Sequence, residues 1–254
     1  MTAAATATRP PDTGVRFSLV ELDLLATHAG TPFPFPLRVP RFGRIEGERE
    51  VLLAAAGVTL RSRGLAGERG PLGVAAEVVS ALRHHRSTVD MVLTSPGGVL
   101  GVLVLVYRSW ALICTQQVSG DLAANGVSVR RVAQGSLVEE LTALVPVVEG
   151  AVTMPITVEP VTAMPGGADP AVLGELAAVL PELTGAGQLG ATRRGADGST
   201  RRGAELSWLD GPRGRVRVDR TADGWFSVNP LRPKDLGLAL TTVATIARRD
   251  DDGR

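Results

Sequence analysis

Apolar residues recur along the chain in blocks of helical and strand spacing, divided by glycine and proline. Val15-Arg16-Phe17 reads as a short strand, and Ser18 with Glu21 forms an S-x-x-E capping box ahead of Leu19, Leu22, Leu25 and Ala26. A helix is therefore predicted from Ser18. The stretch "TPFPFPLRVP" at 31–40 alternates proline with large apolar residues, which disallows helix and central strand alike. It predicts an extended segment pinned to the surface by Phe33, Phe35 and Leu37. A second helix, over 44–62, would carry Ile45, Leu52, Leu53, Ala56 and Leu60 on one face and stop at Gly64.

From Pro71 a longer pattern begins: a helix with Pro71 in its first turn and Ala75, Val78, Val79 and Leu82 inward, then strand-like runs at 88–94, 99–107, 110–118 and 127–132. Turn chemistry separates the strands, at Ser95-Pro96-Gly97-Gly98, Arg108-Ser109 and Asn125-Gly126. A further capping box, Ser136 to Glu139, opens a helix with Leu137, Leu141 and Leu144. The same plan recurs about a hundred residues later. A helix from Asp169 to about Leu183 leads to strands near 188–194, 204–210, 214–220 and 225–229, with Asp223-Gly224 standing where Asn125-Gly126 stood. A last helix over 233–248 has Leu236, Leu240, Val243 and Ala247 in one stripe. The fold class is thus α+β, with two quasi-two-fold related halves, each an antiparallel sheet flanked by helices. The simplest geometry joins or packs the two sheets around a pseudo-two-fold axis and covers one side with helices. A single domain over 15–249 has halves at about 15–150 and 151–249, with a disordered tail at 1–14 and an acidic tail at 250–254. In the run 100–106, Leu100, Val102, Val104 and Val106 alternate with Gly101, Leu103 and Leu105, so both faces of that strand should be covered, by helix layers or by a partner protein.

Composition narrows the function. The 254 residues are 44% hydrophobic but only 4% aromatic, so the core is built from Ala, Val and Leu, with few stacking surfaces for bases or sugars. Lys+Arg 27 against Asp+Glu 26 leaves a net charge of +1, too little to steer an anionic polymer or a membrane surface. A single cysteine, Cys114, allows no internal disulfide, and the longest apolar run is too short to span a bilayer, so a cytoplasmic protein is expected.

Candidate chemistry is sparse. Gly185 to Gly190, "GAGQLG", fits the G-x-G-x-x-G fingerprint, but a dinucleotide loop must follow a strand and open a helix, and here the glycines follow the predicted helix and precede a strand. They read as a helix C-cap and its exit turn. Arg193, Arg194, Arg201, Arg202, Arg213, Arg215, Arg217 and Arg220, interleaved with Trp208 and Trp225, superficially suggest nucleic acid. Arg213, Arg215 and Arg217 alternate with Val216 and Val218, however, and Glu205, Asp210, Asp219 and Asp223 lie among them, which predicts cross-strand ion pairs on a solvated face. His28, His84 and His85 have no partner motif. Cys114 in its apolar run reads as core, and no residue set selects itself as catalytic, cofactor-binding or metal-ligating.

The order of several stretches resembles one family. "SLVELDLLATHAG" at 18–30, "PFPLRVP", "LRSRGL" at 60–65, "VSVRRVAQGSLVEELTALVP" at 127–146, and the block from "LTGAGQLGATRRGADGSTRR" to "LSWLDGPRGRVRV" at 183–218 occur in the order of the EspG family of type VII (ESX) secretion-associated proteins. Asp210, Gly214 and Arg215 meet the family's Asp-x-x-x-Gly-Arg strand. The resemblance implies a cytosolic chaperone that binds the PPE subunit of a PE–PPE heterodimer, keeps the pair soluble and presents it to its ESX machine. It also implies a contact surface made of the central sheet, the loop between the first two strands of the first half, and the C-terminal helical region. Carried over, the loop is Thr94, Ser95, Pro96, Gly97, Gly98 and Val99. Neither nucleic acid nor membrane insertion belongs to this reading, though a homodimer in the absence of client does. The arginine- and alanine-rich composition suggests an actinobacterial source. A small-molecule-binding enzyme or sensor, with its site between the halves, is the competing reading.

Overall fold

The computed structural model describes residues 14–45, 47–118, 126–158, 174, 177–178, 180–195, 197–221 and 223–248. The predicted tails at 1–14 and 250–254 lie outside these residues except for Gly14, as does Asn125 of the predicted turn. The helix expected from Asp169 also lies largely outside them, and its last stretch, 180–183, is not helical.

β1 (Val15–Ser18) runs straight into α1 (Leu19–Ala29), and the capping box forms as predicted. The Glu21 amide donates to Ser18 Oγ at 3.3 Å, and the Ser18 amide donates to Glu21 Oε2 at 2.8 Å. α2 is Glu48–Ser62, shorter than the predicted 44–62, because Gly47 takes φ +79 and a left-handed residue cannot continue a helix backwards. Ile45 is consequently outside the helix and exposed.

The proline-rich strap is neither helix nor strand and is anchored to the surface as expected, but it turns at Phe35-Pro36, a cis bond, where an extended run was expected, and its anchors are Phe33, Leu37 and a polar clamp. Fully buried Gln116 accepts the Arg38 amide at 2.7 Å and donates to the Arg38 carbonyl at 3.0 Å. Phe35 is 64% exposed, since Pro36, and not Phe35, occupies the space above Gly101. α3 (Gly73–His84) begins beyond Pro71, which instead pairs in the small ribbon β2 (Ala66–Gly67) and β3 (Gly70–Pro71).

The remaining strands are β4 (Ser87–Ser95), β5 (Gly98–Tyr107), β6 (Trp110–Gln117), β7 (Gly126–Ala133), β8 (Ile156–Val158), β9 (Gly185–Arg194), β10 (Thr200–Gly211), β11 (Gly214–Arg220) and β12 (Phe226–Pro230). With β1 they form one sheet of order β1-β7-β6-β5-β4-β9-β10-β11-β12-β8, antiparallel throughout. The order reads equivalently from both ends, so a pseudo-two-fold axis passes between β4 and β9, and the two predicted sheets are joined as one. The seam is a continuous ladder from Ser87↔Arg193 to Thr94↔Ala186. No cleft separates the described parts of the halves.

Helices cover both faces, not one. α1, α2 and α3 bury Leu103, Leu105, Leu112, Cys114, Val127 and Val129 on one face. α4 (Leu137–Thr142) and α5 (Pro233–Arg248) meet each other over Val89, Met91, Val102, Val104, Leu189 and Trp208 on the opposite face. β5 is therefore buried on both sides, as its sequence requires; each such side chain stabilises the fold by about 1.5–3 kcal/mol. The capping box at Ser136 does not form. Ser136 closes a 3-10 turn (Gln134–Ser136) with helical backbone angles, which leave its side chain without the cap hydrogen bond.

Candidate functional site

On the α1–α3 side of the sheet, the helix-covered cluster stops at β5, and a smaller cluster begins again at β11 with Val216, Val228 and Ile156. Between them, among the described residues, no hydrophobic cluster lies over β4 and β9, and β10 meets the smaller cluster only through Leu209 near its end. Register sets the side chains of this strip in rows across the strands. One row is Val92, Gln188 and Ser207; the next is Thr94, Ala186 and Leu209. Gln188 and Thr94 are exposed, and the other four are half-buried.

The predicted loop residues lie at one end of this strip, because Thr94 pairs with both Val99 and Ala186. The turn is tight, with Ser95↔Gly98 as the last pair and Pro96-Gly97 at the tip. Gly98, at φ +121, supplies the backbone conformation that a side chain would resist. Thr94, Ser95, Pro96 and Gly97 are exposed, while Gly98 and Val99 are half-buried. The structure thus brings the six together with the open sheet face.

The middle of the strip holds a polar constellation. Asp90 is 4% exposed, on the first-half side of the seam. Arg202 reaches it from the second half: Nη1 bonds Asp90 Oδ1 and Nη2 donates to Oδ2 at 2.9 Å. Arg202 Nη1 also donates to Thr192 Oγ1 at 3.2 Å, and Nε donates to Glu205 Oε1 at 2.5 Å. Among the described residues this is the only ion pair joining the halves. The Asp90 hydrogen bond, outweighing desolvation, holds the guanidinium pKa above its ordinary value, so the arginine is charged throughout.

Two local features build this site. Residues three apart on a regular strand face opposite sides, yet Arg202 and Glu205 share one. A β-bulge between them shifts the register of β10 against β9, and Gly203 and Ala204 take up the extra length against the α4–α5 side. Opposite Glu205 stands Gly190, where an added Cβ would overlap the Arg202 guanidinium.

A family model described as the EspG family matches residues 18–242. The chain belongs to the EspG family. Its fold resembles the structure of the Mycobacterium tuberculosis type VII secretion system chaperone EspG5 in complex with a PE25–PPE41 dimer. The TM-score is 0.58 at 14% identity, over 91% of this chain and 95% of that one. No curated protein matches the sequence significantly.

In this EspG chain the "GAGQLG" stretch is entirely strand, which corrects its reading as a helix cap and exit turn. Each glycine clears space for a neighbour. An added Cβ at Gly187 would overlap the Trp208 indole, at Gly190 the Arg202 guanidinium, and at Gly185 it would crowd the Thr94 carbonyl and Asp210. Gly187 faces the Trp208 side and Gly185 adjoins the Asp210 carboxylate, so the spacing serves packing, not phosphate.

The solvated arginine face on β11 is also corrected. Arg213 is exposed in the turn, but Arg215 is 1% exposed: Nε donates to Asp210 Oδ1 at 2.6 Å and Nη2 to Oδ2 at 2.9 Å. Its guanidinium lies 5.4 Å from the Trp208 ring centroid and donates to the Pro146 carbonyl at 3.1 Å. Cross-strand ion pairing was rightly expected; burial was not, because a bidentate carboxylate and a backbone carbonyl on Nε and Nη2 make a buried arginine tolerable.

Cys114 is fully buried, and burial pushes its thiol pKa up to about 12. Among the described residues no group of three His, Cys, Asp or Glu could hold a metal, and no helix is long and apolar enough to cross a membrane. An open cavity of about 400 Å³ lies at the β1–β7 edge, away from the seam, walled in part by Arg130 and Glu140, which are paired at 2.6 Å.

Sequence reasoning missed Asp90, Gln188 and Glu205 as site residues. A signal for Asp90 exists, a lone acid in the otherwise apolar run 89–93. For Glu205 the only hint is Gly203 inside a strand, a known mark of bulges.

Proposed function

We propose that this protein is a cytosolic chaperone of type VII secretion that binds a PE–PPE heterodimer through its PPE subunit, keeps the pair soluble and delivers it to an ESX machine. The observation that carries this reading is membership of the EspG family over residues 18–242. The open strip on β4, β9 and β10 supports it physically. A helical tip that exposes Leu and Phe loses about 25 cal/mol for each Å² of apolar surface left in water, and a sheet strip edged by Val92, Val99 and Leu209 lowers that cost without any chemistry. The tight Thr94–Val99 hairpin closes one end of the strip and belongs to the proposed contact surface, whereas α5, the described C-terminal helix, packs on the opposite face of the sheet.

Co-expression with each PE–PPE pair of the source genome tests this. A 1:1:1 complex on gel filtration is expected for at least one pair; failure with all of them defeats the reading.

A further inference from the structure

The polar constellation beneath the open strip is unevenly satisfied. Arg202 spends every nitrogen on Asp90, Thr192 and Glu205, and Asp90 has both oxygens engaged. Glu205 differs. Its Oε1 accepts from Arg202 Nε, its side chain is 55% exposed, and Oε2 has no hydrogen-bond partner among the described residues. Gln188, exposed on the neighbouring strand one row away, likewise makes no side-chain hydrogen bond among them. Two carboxylates against one guanidinium leave this spot with one negative charge, one row from half-buried Val92 and Ser207 and two rows from Ala186 and Leu209.

A regular β10 would send Glu205 to the opposite face, and only the bulge at 203–204 turns it into the strip. Covering a carboxylate with an apolar surface and no partner is costly, because its hydration is lost and nothing replaces it.

We infer that Glu205, aided by Gln188, is the specificity-determining residue of the client face, and that it selects a client presenting a lysine or arginine side chain within an apolar tip. The inference rests on the chaperone reading above and adds to it the chemistry of the client. The Glu205 carboxylate accepts the cation's hydrogen bonds, Gln188 supplies an amide acceptor beside it, and Arg202 stays locked to Asp90. A client with an acid at that position is rejected by like charge, so the same residue gives affinity and discrimination.

The test uses the PE–PPE pair that co-purifies with the wild-type protein, with Kd measured by calorimetry at low and high salt. Glu205→Gln should bind about tenfold more weakly with a shallower salt dependence, and Glu205→Lys at least about a hundredfold more weakly with a reversed one, since truncating one partner of a desolvated charge pair is expensive and salt screens the new repulsion. Both variants should keep the wild-type melting temperature to within about 2 °C, as expected of exposed-site substitutions. A scan converting each lysine and arginine of the client tip to glutamate should find one position that restores binding to Glu205→Lys. Wild-type affinity in Glu205→Lys, or absence of any restoring position, overturns the inference while the chaperone reading stands. If the wild-type protein captures no pair at all, the chaperone reading itself fails.

Discussion

The same chemical unit is built twice beside the glycines of β9, once on each face of the sheet. In both sites an arginine guanidinium is held by both oxygens of an aspartate: Arg215 on Asp210 toward α4–α5, and Arg202 on Asp90 toward the open strip. Their surroundings differ. Arg215 is 1% exposed, close to the Trp208 ring and bonded to the Pro146 carbonyl, whereas Arg202 is 36% exposed and shares its charge with a second carboxylate. The first pair is buried away from solvent, where a ligand does not reach it. The second joins the halves and still carries an unspent acceptor, which is why the interaction chemistry belongs to it.

The largest test of that contrast is Arg215→Met, which strands Asp210 as a buried charge. A loss of about 3–5 kcal/mol in urea unfolding is expected, and client binding should follow stability alone. A loss under 1 kcal/mol would show that the pair is open to solvent.

Next comes the glycine pair. Gly187→Ala forces a methyl into the Trp208 indole, ringed by core, and should cost about 1–3 kcal/mol or more. Gly190→Ala meets only the far end of the Arg202 side chain, which can swing outward. Its stability cost should not exceed that of losing the Arg202–Asp90 pair, about 1–2 kcal/mol, while client affinity falls, because Arg202 no longer holds Glu205 through Nε. Equal melting temperatures for the two variants would erase the distinction between the faces.

Arg202→Met should cost less than Arg215→Met, about 1–2 kcal/mol, since water still reaches the site and screens Asp90. Pairing it with Asp90→Asn in a double-mutant cycle isolates the cross-seam coupling.

The smallest effect concerns the arginine-rich end of the seam, where His85 caps α3 through Nδ1 to the Ala81 carbonyl at 2.9 Å. Desolvation, reinforced by Arg194, lowers its pKa below the ordinary histidine value. The unfolded chain therefore binds a proton where the folded chain does not, so stability is full above the unfolded pKa and declines as pH falls from there to the folded pKa. Melting curves between pH 7.5 and 5.5 should show that decline, and His85→Gln should flatten it.

Much of the fold was legible because its signals are local. The Ser18–Glu21 box, the alternation at Leu100–Val106 and the hairpin turns each act within a few residues, and all lie in elements of the predicted kind. The quasi-two-fold order of elements was also readable, since turn spacing repeats along the chain. The site was less so. The loop Thr94–Val99 came from family likeness, and the residues now given the discriminating role came from neither pattern nor likeness.

What the sequence determined by itself was most of the helices and long strands, though not β2, β3 or β8, together with the two-sided burial of β5 and the family. Tertiary structure alone decided where the charges went. Alternation in "RGRVRV" marks Arg215 as surface, and only the approach of Asp210 and Trp208 makes its burial affordable. Spacing sends Glu205 away from Arg202, and only the register slip between β9 and β10 turns both to one face. Period and propensity are properties of neighbours in sequence. Desolvation and ion pairing depend on neighbours in space, and Asp90 and Arg202 are 112 residues apart in the chain.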